Sequence, residues 1–235
     1  YLIWFVVMSF SIIPAFAWNI ESVFTDIKND YKYYDELQYL YDKWVFIPDT
    51  NNKFNPQSTL QRDEFVWSVM ELSCDKCIHP NSSINYVLKY QDSKDIFYDI
   101  TKSNPYFYCI AWAKEKKTVQ WYWAWYTCSN WTTKAWSVPF CPENSIQRQE
   151  AIAVLLRNAN ILTLEQANAI KYNSFEPYLQ KALETQLTIT KANWTKVTYK
   201  LLEKDSNWNT HPEQYITKEE FLKMSFVISK IWPCS

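Results

Sequence analysis

The sequence predicts a mainly α fold: two to three helix-loop-helix repeats packed side by side, with short irregular or hairpin inserts. Two observations carry this. The first is a recurring pattern. Phe54-Asn55-Pro56-Gln57-Ser58-Thr59-Leu60-Gln61-Arg62-Asp63-Glu64-Phe65 returns as Phe140-Cys141-Pro142-Glu143-Asn144-Ser145-Ile146-Gln147-Arg148-Gln149-Glu150-Ala151, at an offset of 86 residues and without a gap. A weaker third copy, Pro212 to Phe221, follows the second at an offset of 70. The shared core is P-x-x-x-[LI]-[QT]-[RK]-x-E. The second observation is the apolar run of helical type that follows each copy. Repeats of this length cannot bury their apolar faces alone and must pack on one another.

Taken in order, Leu2 to Ala17 is almost wholly apolar and ends in Ala15-Phe16-Ala17, so residues 1–17 read as the remnant of a secretory signal peptide. A short N-terminal membrane anchor is the alternative. Unit one spans 20–75. It opens at Phe24-Thr25-Asp26-Ile27, has a helix stop near Asp42-Lys43-Trp44-Val45, and reaches its loop at Phe54. Pro56 stiffens that loop. Leu60 stands ahead of a helix as a hydrophobic staple would, and Phe65, Val66, Val69, Met70 and Leu72 form the helix's apolar face. A cysteine-containing linker covers 76–92. Unit two spans 93–160, with Phe97-Tyr98-Asp99-Ile100 at its start, an insertion over 123–138, and a helix carrying Ala151, Ile152, Val154, Leu155 and Leu156. Thr163-Leu164-Glu165-Gln166 has capping-box spacing and opens a connecting helix over 161–173. Unit three, degenerate, spans 174–232. Its first helix is placed at Pro177 to Glu184, a short hairpin near Val197-Thr198-Tyr199, polar turns from Asp205 to Pro212, and a capping box at Thr217-Lys218-Glu219-Glu220. Gln61 and Gln147 replace the capping Thr in units one and two, which predicts weaker caps there.

Composition adds one anomaly. The 235 residues carry 24 basic and 25 acidic side chains and 48% hydrophobics, a balance that excludes a broadly basic nucleic-acid binder and wholesale disorder. Yet there are no glycines and 13 tryptophans. About 16 glycines would be ordinary for this length. Several tryptophans occupy contexts that call for glycine: the helix stop at Trp44, the polar turn Asp205-Ser206-Asn207-Trp208-Asn209, and Trp121-Tyr122-Trp123-Ala124-Trp125-Tyr126. We read most of them as biological glycines, encoded by UGA in a code that assigns that codon to glycine. Trp112 lies in a helical pattern and reads as a true tryptophan. The competing reading is a tryptophan-rich carbohydrate binder. Under recoding, Trp44, Trp121, Trp131 and Trp208 should lie in exposed turns, some at positive φ.

The repeat resembles the S-layer homology (SLH) domain: F-x-D, a first helix, a Gly-Tyr turn, D-G-x-F-x-P, then [IL]-T-R-x-E opening a second helix. Phe24, Asp26, Asp49, Phe54, Pro56, Leu60, Arg62 and Glu64 match in unit one. In unit two the matches are Phe97, Asp99, Trp121-Tyr122, Phe140, Pro142, Ile146, Arg148 and Glu150. Unit three keeps Ile216, Thr217 and Glu220 but has Lys218 for Arg and Thr210 for the aromatic. The resemblance covers about 22–232. It implies a non-catalytic, secreted, cell-surface anchoring module. Its partner would be a cell-wall polysaccharide or peptidoglycan-linked polymer, anionic and in some members pyruvylated, with three units forming one pseudo-threefold body. A cation beside free N–H groups at a helix N-terminus is a good carboxylate receptor. Arg62, Arg148 and, less well, Lys218 are therefore the expected ligand-binding residues, with Glu64, Glu150, Thr217 and Glu220 capping or supporting them. A structural ion pair between repeats is the alternative role for the arginines.

Enzyme readings lack their signatures. There is no H-E-x-x-H, and the glycine-restored run from Trp131 to Ser137 has no P-loop lysine. No nucleic acid, cofactor or metal is expected, and no stable membrane span in the mature chain. Two other functions stay open: a surface structural or protein-interaction protein with repurposed repeats, whose sign would be blocked grooves, and the anchor part of a larger envelope hydrolase. Cys74, Cys77, Cys109, Cys128, Cys141 and Cys234 are disulfide candidates in a secreted chain. Cys128 and Cys141 bracket the insertion and are placed to close it.

Overall fold

The computed structural model describes residues 19–73, 97, 99–119, 128, 139–191 and 194–232. The signal-peptide segment, the linker at 76–92 and nearly all of the insertion lie outside them. Within them the chain forms eight helices and one two-stranded sheet. In order these are α1 (Ile20–Val23), α2 (Tyr34–Tyr41), α3 (Arg62–Leu72), α4 (Phe107–Glu115), α5 (Arg148–Asn158), α6 (Leu164–Ile170), α7 (Glu176–Glu184), β1 (Gln186–Thr190), β2 (Lys196–Lys200) and α8 (Lys218–Ile231). The fold is mainly α, as expected.

Units one and two each place a first helix ahead of the repeated loop and a second helix directly after it, and unit three does the same with a hairpin interposed. The packing is cyclic. The first helix of unit two, α4, lies on α3 of unit one; α7 of unit three lies on α5 of unit two; α2 of unit one lies on α8 of unit three. Each unit therefore covers the apolar face of its neighbour's second helix, and the third unit returns to the first. Phe24, Phe46 and Phe54 meet edge-on, and Phe46 and Phe65 both reach Phe221 of unit three, at 5.6 and 5.0 Å between ring centroids. Aromatic pairs of this kind each add about 1 kcal/mol beyond their area. Among the described residues no helix is long and apolar enough to cross a membrane.

The hairpin pairs Gln186 with Lys200 through Thr190 with Lys196, antiparallel. It joins unit three to unit one: the Tyr199 hydroxyl donates to the buried Glu36 carboxylate on α2, and Lys191 Nζ lies 3.4 Å from the same carboxylate. Burial, reinforced by that carboxylate, raises the Tyr199 phenol well above its ordinary pKa, so it stays a donor.

The turns show where backbone chemistry is demanding. Helix α2 ends in a Schellman arrangement: Val45 N–H reaches Leu40 O and Trp44 N–H reaches Tyr41 O. Trp44 is the left-handed residue, at φ 66°. Helix α4 ends the same way on Lys117 at φ 56°, with Thr118 N–H on Ala113 O. The first helix of unit two thus stops at Lys117-Thr118; Trp121-Tyr122, the match to the Gly-Tyr turn, lies outside the described residues. The hairpin closes on Trp194 at φ 63°, and its N–H bonds Lys191 O. Trp208 sits at φ 63° as well. These three indoles are 52%, 87% and 79% exposed. Trp67 and Trp112, by contrast, lie inside α3 and α4, and Trp67 packs on Tyr106. Trp121 and Trp131 are outside the described residues.

Units one and three build the same loop before the repeat. Asp49 Oδ1 accepts from the Asn51 and Lys53 N–H groups, and Asp205 Oδ1 from those of Asn207 and Asn209. Asn52 at φ 57° and Trp208 at φ 63° take corresponding positions, each with its N–H on the aspartate carbonyl. These donors hold both carboxyls below their usual range, led by Lys53 N–H for Asp49 and Asn209 N–H for Asp205. A depressed folded pKa contributes stability above the unfolded value and loses it as pH falls through the folded one. Stability should therefore decline on acidification below about pH 4. The Asp49→Asn/Asp205→Asn chain, followed by thermal melts across pH 2–6, should decline less steeply.

Cys128 and Cys141 form a disulfide with Cα atoms 5.3 Å apart, across a sequence separation of 13. The buried Cys109 is disulfide-bonded too. Cys74, Cys77 and Cys234 lie outside the described residues. Removing the Cys128–Cys141 crosslink as the double serine variant should cost about 3 kcal/mol, read as a lower urea midpoint at pH 7.

Candidate functional site

The three repeated loops converge. Leu60, Ile146 and Ile216, the apolar residue ahead of each second helix, are buried side by side. Their backbones bond in a cycle: Ile146 N–H to Leu60 O (3.0 Å), Ile216 N–H to Ile146 O (3.1 Å), and Leu60 N–H to Ile216 O (3.4 Å). Short antiparallel bridges flank it, Gln61 with Ser145, Gln147 with Tyr215, and Thr59 with Thr217.

Helix N-termini carry unpaired N–H groups. Here the next unit satisfies them. Arg62 and Asp63 N–H groups reach Asn144 and Pro142 carbonyls; Arg148 and Gln149 reach Gln214 and Pro212; Lys218 and Glu219 reach Ser58 and Pro56. The repeat's proline thus has a second use, as the acceptor that its neighbour's first turn needs. These N–H groups are not free for a carboxylate ligand, which corrects the physical basis expected for ligand binding at the three cations.

The cations follow the same cycle. Arg62 Nη1 meets Glu150 Oε1 at 2.9 Å and Arg62 Nε donates to Phe140 O at 2.9 Å. Arg148 Nη2 meets Glu220 Oε1 at 2.6 Å, while its Nη1 donates to Thr210 and His211 carbonyls, both at 2.8 Å. Lys218 Nζ meets Glu64 Oε1 at 2.9 Å. The residue at the first helical position of each unit thus pairs with the glutamate at the third position of the next. Arg62, Arg148 and Lys218 hold the role weighed as the alternative, an ion pair between repeats. The glutamates cap as expected where the geometry permits. Glu150 Oε2 accepts from Gln147 N–H and Glu220 Oε2 from Thr217 N–H, while Thr217 Oγ1 accepts from Glu220 N–H. Gln61 makes no side-chain cap, in line with the substitution of Thr.

Two aspartates hold the loops in place. Asp26 accepts from Phe54 and Asn55 N–H, both at 2.8 Å, and Asp99 accepts from Phe140 and Cys141 N–H at 2.9 and 2.6 Å. The F-x-D match gave their positions, but their partners, some 28 to 42 residues away, had no local signal. In unit three Arg148 takes the Thr210 and His211 carbonyls instead.

The junction of units two and three leaves an open groove. Between units two and three, a cavity of about 280 Å³ is lined by Arg148, Glu203, Lys204, His211, Glu220 and Lys223, with Leu201, Leu202 and Met224 as part of its apolar wall. Lys223 pairs with Glu203 at 3.1 Å and His211 with Asp205 at 2.7 Å. None of Lys204, His211 or Lys223 was singled out as a ligand candidate from sequence, because the groove wall comes from the segment after the hairpin, which the shared motif does not include.

Residues 23–66 match the family model of the S-layer homology domain. That segment is unit one from Val23 through the start of α3. Such domains are in general cell-wall anchoring modules, and this segment is similar to them. No curated protein matches the chain.

Proposed function

We propose that the chain is a non-catalytic anchoring module that holds an anionic, in some cases pyruvylated, cell-wall polysaccharide. The groove between units two and three is its binding surface. What carries the reading is that groove: Arg148 at its floor, Lys204, Lys223 and His211 around it, and an apolar wall against which a sugar ring can lie. Arg148 has two carbonyl and two side-chain partners on its terminal nitrogens, so it fixes the groove's geometry, and the cations around it are Lys204, Lys223 and His211. Arg62 and Lys218 support the corresponding junctions of the ring.

Titration calorimetry of the whole chain with soluble wall polysaccharide tests this. Lys204→Gln/Lys223→Gln should weaken binding at least about tenfold at low salt, the loss shrinking as salt rises. Unchanged affinity would contradict the groove assignment. A second reading, repeats repurposed for protein contacts, draws support from the commitment of Arg62 and Lys218 to inter-unit pairs. It predicts no heat with any wall polymer.

The same proposal includes the native residue identities. Trp44, Trp194 and Trp208 occupy the positions for which glycine is the ordinary residue: a Schellman stop, a hairpin closure and an aspartate-capped loop. At the last of these, unit one has Asn52, the residue that ranks next to glycine in the left-handed region. We read these three as glycines encoded by UGA, and secretion by way of the apolar N-terminal segment belongs to the same reading.

A further inference from the structure

We infer that a second pocket, at the far end of α5 from the ring, is a site for a carboxylate-bearing sugar. The chain has three arginines, Arg62, Arg148 and Arg157. The first two are spent on glutamates of neighbouring units. Arg157, in the last turn of α5, has no carboxylate partner among the described residues. Its Nε donates to the Tyr178 hydroxyl at 2.8 Å, and its guanidinium carbon lies 4.7 Å from the centre of that ring. Tyr178 is itself buried in α7, with its hydroxyl directed to Thr163 O at 3.5 Å. The guanidinium is therefore oriented through Nε and face, and among the described residues neither terminal nitrogen has a hydrogen-bond partner. Nearby carboxylates do not compete: Glu176 is paired with Lys171 and Glu165 with Lys117.

Arg157 lines a cavity of about 140 Å³, closed by α6 and the loop before α7. The loop is pinned, with Asn173 N–H on Asn168 Oδ1 at 3.1 Å and Glu176 N–H on Ser174 Oγ at 3.2 Å. That leaves the Asn168 amide N–H₂ and the Ser174 O–H as further donors. Tyr172 stands at the rim, 80% exposed. A fixed guanidinium edge takes a carboxylate with two parallel hydrogen bonds. An exposed phenol ring beside it gives a pyranose a surface to stack on. The volume admits a carboxylate and its attached carbon, and the sugar ring stays at the mouth against Tyr172. No lining residue is a tryptophan, and none lines the groove at Arg148. The two sites stand or fall separately.

The probe is glucuronate, followed by ¹H–¹⁵N NMR of the whole chain, with glucose and inorganic phosphate as comparisons. Saturable shifts of the Arg157 Nε–H and the amides of residues 172–174 are expected with glucuronate and not with glucose. Arg157→Lys keeps the charge and loses the paired bonds, so its affinity should fall about fivefold; Arg157→Gln should lose at least about tenfold. Tyr172→Ala changes a mostly exposed position, should leave the fold unperturbed, and should weaken glucuronate severalfold while leaving phosphate unchanged. Lys204→Gln/Lys223→Gln should leave all of these shifts in place. The assignment is overturned by the absence of saturable shifts, by equal binding in Arg157→Gln, or by phosphate binding as tightly as glucuronate with no effect of Tyr172→Ala.

Discussion

Replacing Trp44, Trp194 and Trp208 together with glycine should stabilise the protein by about 2–3 kcal/mol. A side chain with a Cβ costs about 1–2 kcal/mol in the left-handed region, and glycine gives back roughly 0.5–1 kcal/mol through its larger unfolded-state entropy. The net gain is about 1 kcal/mol per site, equivalent to a rise in Tm of about 5–10 °C for the triple variant. Little opposes it at Trp194 and Trp208, which are mostly exposed, and more at Trp44, which is half-buried. Trp67→Gly supplies the opposite case. Trp67 lies within α3, nearly buried and stacked on Tyr106. Its loss should cost about 3–5 kcal/mol from the cavity, plus about 1 kcal/mol of helix propensity. Stabilisation at the three turns together with destabilisation at Trp67 would separate glycine positions from true tryptophans. No change at the turns would remove the structural support for recoding.

Glu150→Gln should be the most damaging single change among the ring glutamates, at about 3–5 kcal/mol. Arg62 and Glu150 are 6% and 11% exposed as side chains, so the variant leaves a buried guanidinium between two units without its carboxylate, although Phe140 O still accepts from Nε. The same glutamate caps α5 through Gln147 N–H, and glutamine keeps only part of that. Glu220→Gln should cost less, since Glu220 is a third exposed and Arg148 retains two carbonyl partners. Glu64→Gln should be the mildest, because Lys218, though only 12% exposed, has three rotatable donors on a flexible stem in place of a fixed guanidinium fork. Arg62→Met/Glu150→Leu removes the stranded charge along with its partner and should recover at least half the loss. Urea midpoints of the four variants give the ordering; equal effects would mean that burial does not govern these pairs.

What could be read from sequence was the local part. The capping boxes at Thr163 and Thr217, the helix beginning beside Pro177, and the hairpin through Val197 all follow from short-range chemistry, and each is present. Repeat spacing placed the three second helices. The cyclic closure was hidden, because it depends on contacts as distant as Leu60 with Ile216 and Lys218 with Glu64. For the same reason the site was half visible. Sequence singled out Arg62, Arg148 and Lys218, but whether they face a ligand or a neighbouring glutamate is decided by how three units close. Unit two's helix stop was hidden for a different reason: lysine at a left-handed position, as at Lys117, carries no turn signature.

The most direct test of the anchoring account is co-sedimentation of the chain, with glycine at positions 44, 194 and 208, with purified cell-wall sacculi, before and after the anionic polysaccharide is stripped. Pelleting with intact sacculi, lost on stripping and reduced in Lys204→Gln/Lys223→Gln, is the predicted result. Pelleting that survives stripping, or no pelleting at all, would contradict the account.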